Sequence, residues 1–539
     1  MEGTIWWKEA VAYQVYPRSF YDSNGDGIGD LQGIIEKLDY LQNLGIDVIW
    51  VSPFYESPND DNGYDISHYQ AILAEFGTMD DFDRLLDETH RRGMRLIIDL
   101  VVNHTSDEHA WFIESRQSKD NPKRDWYIWA DQPNNWQSIF GGPAWEYDEL
   151  TDQYYLHLFS RKQPDLNWEN SDVRQAIYDM MNWWLDKGID GFRVDAITHM
   201  KKTEGLPDAK SDVEPPWEHM MNNDGIHDHL QELYDHTLAH YDVMTVAEAN
   251  GVGTDDIHRW VGEREGKFSM IFQFEHLDLW DQDGKTGVDV PQLKEVLTRW
   301  QHTLETDGWN ALFIENHDIP RAVSTWGNDK THWYECSTAL GMMYFFMKGT
   351  PFIYQGQEIG MTNNHFHSID EFNDVKDHNY YRLQRQQGVD ENTILETLNI
   401  TSRDHARTPM QWSDEAQAGF TTGTPWLKVN PNYVKVNVAE QQEDPNSVLS
   451  FYQRMIQLRK ENHTLIYGQY DLMLEDHPHL FAYTRTLGNE QFLIITNLSE
   501  QYVETDILNQ YDTPLLLLSN MNQMSNTFKP YEARLYRLQ

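Results

Sequence analysis

Cysteine is almost missing from this chain. Cys336 is the only one in 539 residues, so no intrachain disulfide can form. That scarcity fits a reducing compartment, and a lone thiol inside an apolar stretch reads as core, not as a nucleophile. Basic residues are scarce too: Lys and Arg total 42 against 87 Asp and Glu, a formal net charge of −45. Such a chain repels phosphate backbones and anionic lipids, so nucleic acid and membrane surfaces are not expected partners, and solubility is the plain consequence of the charge. The N-terminal MEGTIWWKEAVAYQ has neither the basic start nor the apolar run of a signal peptide. GMMYFFMKGTPFIY is apolar but short and contains Lys348; it predicts a buried helix running into a strand, not a membrane span. Internal repeats and low-complexity tracts are absent as well. The expectation is a soluble, cytoplasmic protein.

What the chain does contain is a regular alternation. Short β-branched runs begin near residues 10 (AVAYQVYP), 48 (VIWVSP), 95 (RLIIDLVVN), 191 (GFRVDAI), 244 (MTVAEAN), 267 (KFSMIFQF), 311 (ALFIENHD) and 350 (TPFIYQG). Between them lie stretches such as LQGIIEKLDYLQNLG and MDDFDRLLDETHRRG, with apolar residues at helical spacing and a glycine, Gly45 or Gly93, where a helix C-cap is expected. Eight such units predict an α/β fold, a (β/α)₈ TIM barrel. An open doubly wound sheet is the competing architecture, but no Gly-rich phosphate loop follows any strand.

The spacing also divides the chain. Residues 1–104 form the first part of the barrel. The third and fourth strands are unusually far apart, and the intervening 105–171, rich in Trp, Tyr, Asp and Pro, predicts a small inserted domain roofing the C-terminal face. Residues 172–463 complete the barrel, with a long excursion at 357–446 and a closing helix in SVLSFYQRMIQLRKEN. From 464 to 539 short alternating runs predict a C-terminal antiparallel β-sandwich without helices.

Candidate chemistry sits at the strand ends, where barrel enzymes keep it. Asp195, Glu248 and Asp318 end the fourth, fifth and seventh runs. A single acid there is as readily a helix N-cap. Three together, beside Arg193 and His317, suit glycoside cleavage, in which a nucleophilic carboxylate faces a carboxylic acid roughly 5–5.5 Å away in retaining enzymes. Arg193, two residues before Asp195 on the same strand face, should lower its pKa and make it the nucleophile. Glu248, with fewer cations nearby in sequence, should have a raised pKa and act as the acid. Asp318 could stabilise a cationic transition state. The 20 Trp and 28 Tyr suit sugar stacking or core packing alike.

The segments DLVVNH, GFRVDAI, TVAEAN and ENHD, with GIDVIWVSP and GTPFIYQGQEIG, resemble the α-amylase family of retaining glycosidases, glycoside hydrolase family thirteen, over nearly the whole chain. QPDLNW, SPNDDNGYDI and RDHARTPMQW resemble its oligo-1,6-glucosidase branch, which removes single glucose units from the non-reducing ends of short α-glucosides. The resemblance implies Asp195 as nucleophile, Glu248 as general acid/base and Asp318 as transition-state stabiliser. It implies that Arg193 holds the nucleophile, that His104 and His317 bind the hydroxyls of the terminal glucose, and that Tyr64 is the platform beneath it. Asp61 and Arg407 would pair to close the pocket behind that sugar, which makes the action exo. Asp99 and Asn103 are expected to support the barrel end without touching substrate.

DSNGDGIGD puts Asp22, Asn24, Asp26 and Asp30 at alternate positions on a Gly-rich turn, with the Ile28 carbonyl between, a spacing like that of a calcium loop. It is no EF-hand, because the twelfth position is Gly33; a solvated acidic turn is the alternative. The resembling branch carries Ca²⁺ at this loop, which implies a structural ion remote from the chemistry. Linkage choice turns on Ala196, since the branch tends to have Val there in α-1,6-specific members and Ala in α-1,4-preferring ones; EANG at 248–251 points the same way. The expectation is an α-1,4-preferring α-glucosidase. The α-1,6-cutting oligo-1,6-glucosidase (or dextran glucosidase) is the alternative. Trehalose-6-phosphate hydrolase lacks its basic cluster here, a glucosyl-transferring synthase would share every residue named, and a non-catalytic transporter scaffold would lack part of the acid set and carry a membrane span.

Overall fold

The computed structural model describes residues 5–277, 279–280, 287–522 and 525–538. The ends of the expected outer segments, residues 1–4 and 539, lie outside this range. So do 278 and 281–286 of the second barrel part and 523–524 of the C-terminal part.

All eight predicted runs form strands: β1 Ala12–Val15, β2 Val48–Val51, β3 Arg95–Val101, β4 Gly191–Asp195, β5 Met244–Glu248, β6 Met270–Phe272, β7 Ala311–Leu312 and β8 Thr350–Tyr354. They make one parallel sheet in the order β6-β5-β4-β3-β2-β1-β8-β7. One parallel bridge, Ile271 to Asn310, spans β6 and the start of β7, so the barrel is nearly closed.

Side-chain alternation then sorts each strand. Ala12, Val48, Trp50, Ile97, Met244, Val246 and Phe352 fill the barrel interior. Tyr13, Ile49, Ile98, Phe192, Val194 and Ala247 face outward into the layer of helices. The same period of two carries Asp99, Arg193, Asp195 and Glu248 inward at the C-terminal ends of β3, β4 and β5. Register sets Asp99 beside Arg193, and Val101 beside Asp195.

The helices follow their sequence signals. Leu31–Gly45 is two helices, Leu31–Glu36 and Leu38–Leu44, separated by a non-helical Lys37 and ended by Gly45 at φ 102°. Thr78 and Asp81 form a capping box ahead of Met79–Arg91. GMMYFFMKGTPFIY is the buried end of helix Trp333–Phe345 leading into β8. Among the described residues no helix is long and apolar enough to cross a membrane.

Within the insert, Trp129–Ala130, Gln153–Leu156 and Trp145–Asp148 pair antiparallel around Trp136, Trp145 and Leu158. After β8 the excursion holds helices Val375–Gln386, Glu391–Thr401 and the single turn Asp404–Arg407, and Val448–Glu461 closes the barrel. The C-terminal part has a five-stranded antiparallel sheet that starts at Gln469 and a two-stranded one, Val503–Glu504 with Thr527–Phe528. Alternation predicts this part as helix-free, but it opens on the short helix His463–Tyr467 and is interrupted by a 3₁₀ turn at Ile507–Gln510.

Candidate active site

Arg193 is the hub of the barrel mouth. Its Nη1 donates to Asp99 Oδ1 at 2.9 Å and to Asp195 Oδ1 at 2.5 Å, and its Nη2 donates to Glu248. Trp50 Nε1–H and the Tyr64 hydroxyl also donate to Asp99, at 2.8 and 3.2 Å. One buried cation therefore faces three buried acids, and burial decides the outcome. It pushes Asp195 up to about 6, with Arg193 offsetting only part. It pushes Glu248 up to about 8, helped by the Asp195 and Asp318 charges and opposed by Arg193. The expected lowering of Asp195 by Arg193 is thus reversed, because desolvation outweighs the ion pair. Glu248 is raised as expected, but by burial and like charge, not for lack of a cation. A Glu248 carboxyl that keeps its proton at neutrality donates it toward Asp195.

Asp318 has the opposite setting. Arg403 Nη1 and Arg407 Nη2 donate to its Oδ1 at 3.1 and 3.0 Å, and its side chain is 34% exposed. Burial would raise it, but His317, Arg403, Arg407 and Arg193 together hold it well below the usual carboxylate range. The site therefore holds one proton-bearing acid and one firmly ionised acid around Asp195.

Tyr64 is buried and stacks on His317, ring centroids 5.1 Å apart and planes within 7°. Burial draws the His317 imidazole down to about 3, so it is neutral. Gln14 Nε2 donates to His317 Nδ1 at 2.8 Å, which leaves the proton on Nε2, 3.3 Å from Asp318 Oδ2. Arg407 Nη1 is a buried donor without a hydrogen-bond partner. His104 is also held neutral by burial, with Nε2 3.0 Å from the Tyr64 carbonyl.

That cavity, about 410 Å³, is lined by Asp61, Tyr64, His104, Asp195, Ala196, Glu248, Asp318 and Arg403. Phe140 and Phe159 from the insert and Trp217 from the loop after β4 add an aromatic wall. Ala196 stands in it with a left-handed backbone, φ 43°. One expectation fails. Asp61 does not pair with Arg407 but with Arg403, whose Nη2 donates to Asp61 Oδ1 at 3.0 Å. Arg403 and Arg407 flank one helical turn and share a face, so spacing does not separate them. Arg407 is fully buried, donating Nε–H to the His317 carbonyl at 2.9 Å and Nη2–H to Asp318. Gln163 completes the closed end by donating to Asp61 at 3.0 Å. Both Arg403 and Gln163 lie inside noted motifs, RDHARTPMQW and QPDLNW, yet nothing in the sequence singles them out. Asp99 is fully buried and Asn103 donates to Asp165 at 3.1 Å, the supporting places expected of them.

The 22–30 loop lies apart from this cavity. Asp22 accepts the amides of Asn24, Gly25 and Gly27 and the Thr421 hydroxyl, and Asp30 accepts Ser23 and Gly33. Asn24 and Asp26 accept the next amides but one, Asp26 and Ile28. Among the described residues no group of three or more His, Cys, Asp or Glu side chains converges as a metal cage.

Residues 14–468 match the family described as Alpha amylase, catalytic domain. An oligo-1,6-glucosidase of Halalkalibacterium halodurans is 52% identical over 555 aligned positions, covering 99% of this chain and 99% of the relative. A probable oligo-1,6-glucosidase 3 of Bacillus subtilis is 54% identical over 550, covering 98% and 99%. Among solved structures, a mutant of the Bacillus licheniformis trehalose-6-phosphate hydrolase superposes with a TM-score of 0.94 at 43% identity, covering 99% of this chain and 100% of that one.

Proposed function

The chain belongs to the α-amylase family of glycoside hydrolases, and from that premise we propose that it is a retaining, exo-acting α-glucosidase that releases glucose from the non-reducing end of short oligosaccharides, with α-1,6 bonds favoured. The observation that carries the reaction is that Asp195 and Glu248 meet in one cavity on the two nitrogens of a single Arg193 guanidinium, with burial raising Glu248 further than Asp195. Glu248 gives its proton to the glycosidic oxygen as that bond breaks, and Asp195 attacks the anomeric carbon to form a glucosyl ester. Glu248, now a carboxylate, takes a proton from water, which opens the ester and restores both acids. Asp318, held anionic by two arginines, supports the cationic transition state. The terminal glucose lies against Tyr64, with His104 and His317 at its hydroxyls. The Asp61–Arg403 ion pair closes the cavity behind it, so a longer chain cannot thread past.

The α-1,6 preference rests on the relatives, which are named for that bond. The α-1,4 preference expected from Ala196 finds no support among them, and the alternative fits better. Trehalose-6-phosphate is a weaker fit: of the cations lining the cavity, Arg403 is taken up by Asp61, Asp318 and Asp374, which leaves Lys376. Comparison of kcat/KM on isomaltose, maltose, sucrose and trehalose-6-phosphate tests the assignment. Isomaltose should lead; maltose ahead of isomaltose would restore the α-1,4 expectation.

A structural Ca²⁺ at Asp22, Asn24, Asp26, Ile28 and Asp30 remains part of the proposal. In its support, the donor set is all oxygen, and the buried Asp22 and Asp30 carboxylates lack an ion-pair partner among the described residues. A cytoplasmic location is likewise proposed, on the single buried thiol of Cys336.

A further inference from the structure

Arg403 holds three carboxylates with one guanidinium. Two face the cavity: Nη1 donates to Asp318 Oδ1 at 3.1 Å and Nη2 to Asp61 Oδ1 at 3.0 Å. The third does not. Nε donates to Asp374 Oδ2 at 2.6 Å and Nη2 also reaches Asp374 Oδ1. Asp374 is fully buried, is not part of the cavity wall, and takes no step in the proposed reaction.

Its surroundings hold it in place. Asp374 caps helix Val375–Gln386, accepting the Lys376 amide at 3.0 Å. The amides of Asn373 and Asp374 donate to Asp404 Oδ2 at 2.6 and 3.2 Å, and Asp404 directly follows Arg403. Two parts of the excursion, the start of helix Val375–Gln386 and the turn that carries the arginine, are thereby tied together. Burial alone would raise the Asp374 carboxyl, but Arg403 keeps it well below its ordinary value, so this anchor stays charged.

A two-point grip on the Nε edge of a guanidinium fixes its plane, whereas one hydrogen bond each to two separate carboxylates does not. We propose that Asp374 is a positioning residue: by gripping the Nε edge of Arg403 it sets the plane in which that arginine meets Asp61 and Asp318, and so sets the affinity for the terminal glucose without touching the sugar. This inference rests on the glucosidase reading of the cavity.

The test separates positioning from helix capping. Asp374→Ser keeps a capping oxygen but is too short to hold Arg403, and Asp374→Asn keeps the cap and one acceptor without the charge. Glucose affinity is measured by titration calorimetry, and kcat and KM on isomaltose. Both the glucose Kd and KM should rise about tenfold or more in the Ser variant and less in the Asn variant, with kcat falling by a smaller factor. A folded Ser or Asn variant that keeps wild-type glucose affinity and KM overturns the inference, even if its melting temperature drops, because Asp374 is then a cap alone. A wild type that binds no glucose removes the proposed function and this inference together.

Discussion

At the scale of single residues, this site is governed by burial more than by ion pairing. Arg193 touches Asp99, Asp195 and Glu248, yet all three acids titrate above their ordinary values, because one guanidinium cannot offset the desolvation of three carboxylates. The consequence is a pH dependence. Below about 6 Asp195 is protonated and cannot attack; above about 8 Glu248 has lost the proton it must donate. The two acids interact, so the limbs belong to the pair. A plot of kcat/KM for isomaltose against pH should be a bell with limbs near those values. A profile still rising above pH 9, or with its optimum below 5, would contradict the protonation states assigned to them.

At the scale of elements, strand alternation places the chemistry. Arg193 and Asp195 point inward because Phe192 and Val194 point out. β4 begins at Gly191, at φ 142°, where an added Cβ would lie 1.7 Å from the Met244 carbonyl oxygen of β5. Gly191→Ala should therefore destabilise the fold by about 3 kcal/mol or more, or prevent soluble expression. Urea unfolding measures it, and an unchanged midpoint would show that β4 and β5 are spaced otherwise. Much of this architecture was legible in the chain. β-branched runs of fixed phase announce eight strands, and the acids at their ends announce a shared mouth. Less legible was anything decided by meetings between distant segments. Arg403 and Arg407 are equivalent by spacing; only the docking of the excursion sets Arg403 on Asp61, 342 positions away. The raised Asp195 depends on how completely Trp50, Tyr64 and the insert exclude water, which local sequence does not encode. The break at Lys37 inside a continuous helical pattern was not legible either.

At the scale of the whole molecule, the barrel is braced by parts that carry no chemistry. Arg485 of the C-terminal sheet is fully buried and donates to the carbonyls of Leu465, Ile466 and Gly468 and of the barrel helix end at Phe346, tying the sheet to the barrel. The 22–30 loop packs against the excursion through Thr421 and the Phe420 carbonyl, so an ion there would brace the same union. Chelator should lower the melting temperature measurably, by about 1 °C per kcal/mol of binding free energy lost in a chain of this size. The rate at assay temperature should hardly change; an unaltered melting curve would leave the loop as a hydrogen-bonded acidic turn. A retaining glucosidase built on Asp195 and Glu248 must release its sugar with the configuration it had in the substrate. The most direct test is proton NMR of the glucose released from p-nitrophenyl α-glucoside, whose leaving group is not a sugar, read before mutarotation. The α-anomer should appear first; first release of β-glucose, or no glucose at all, would rule out retaining hydrolysis by this pair.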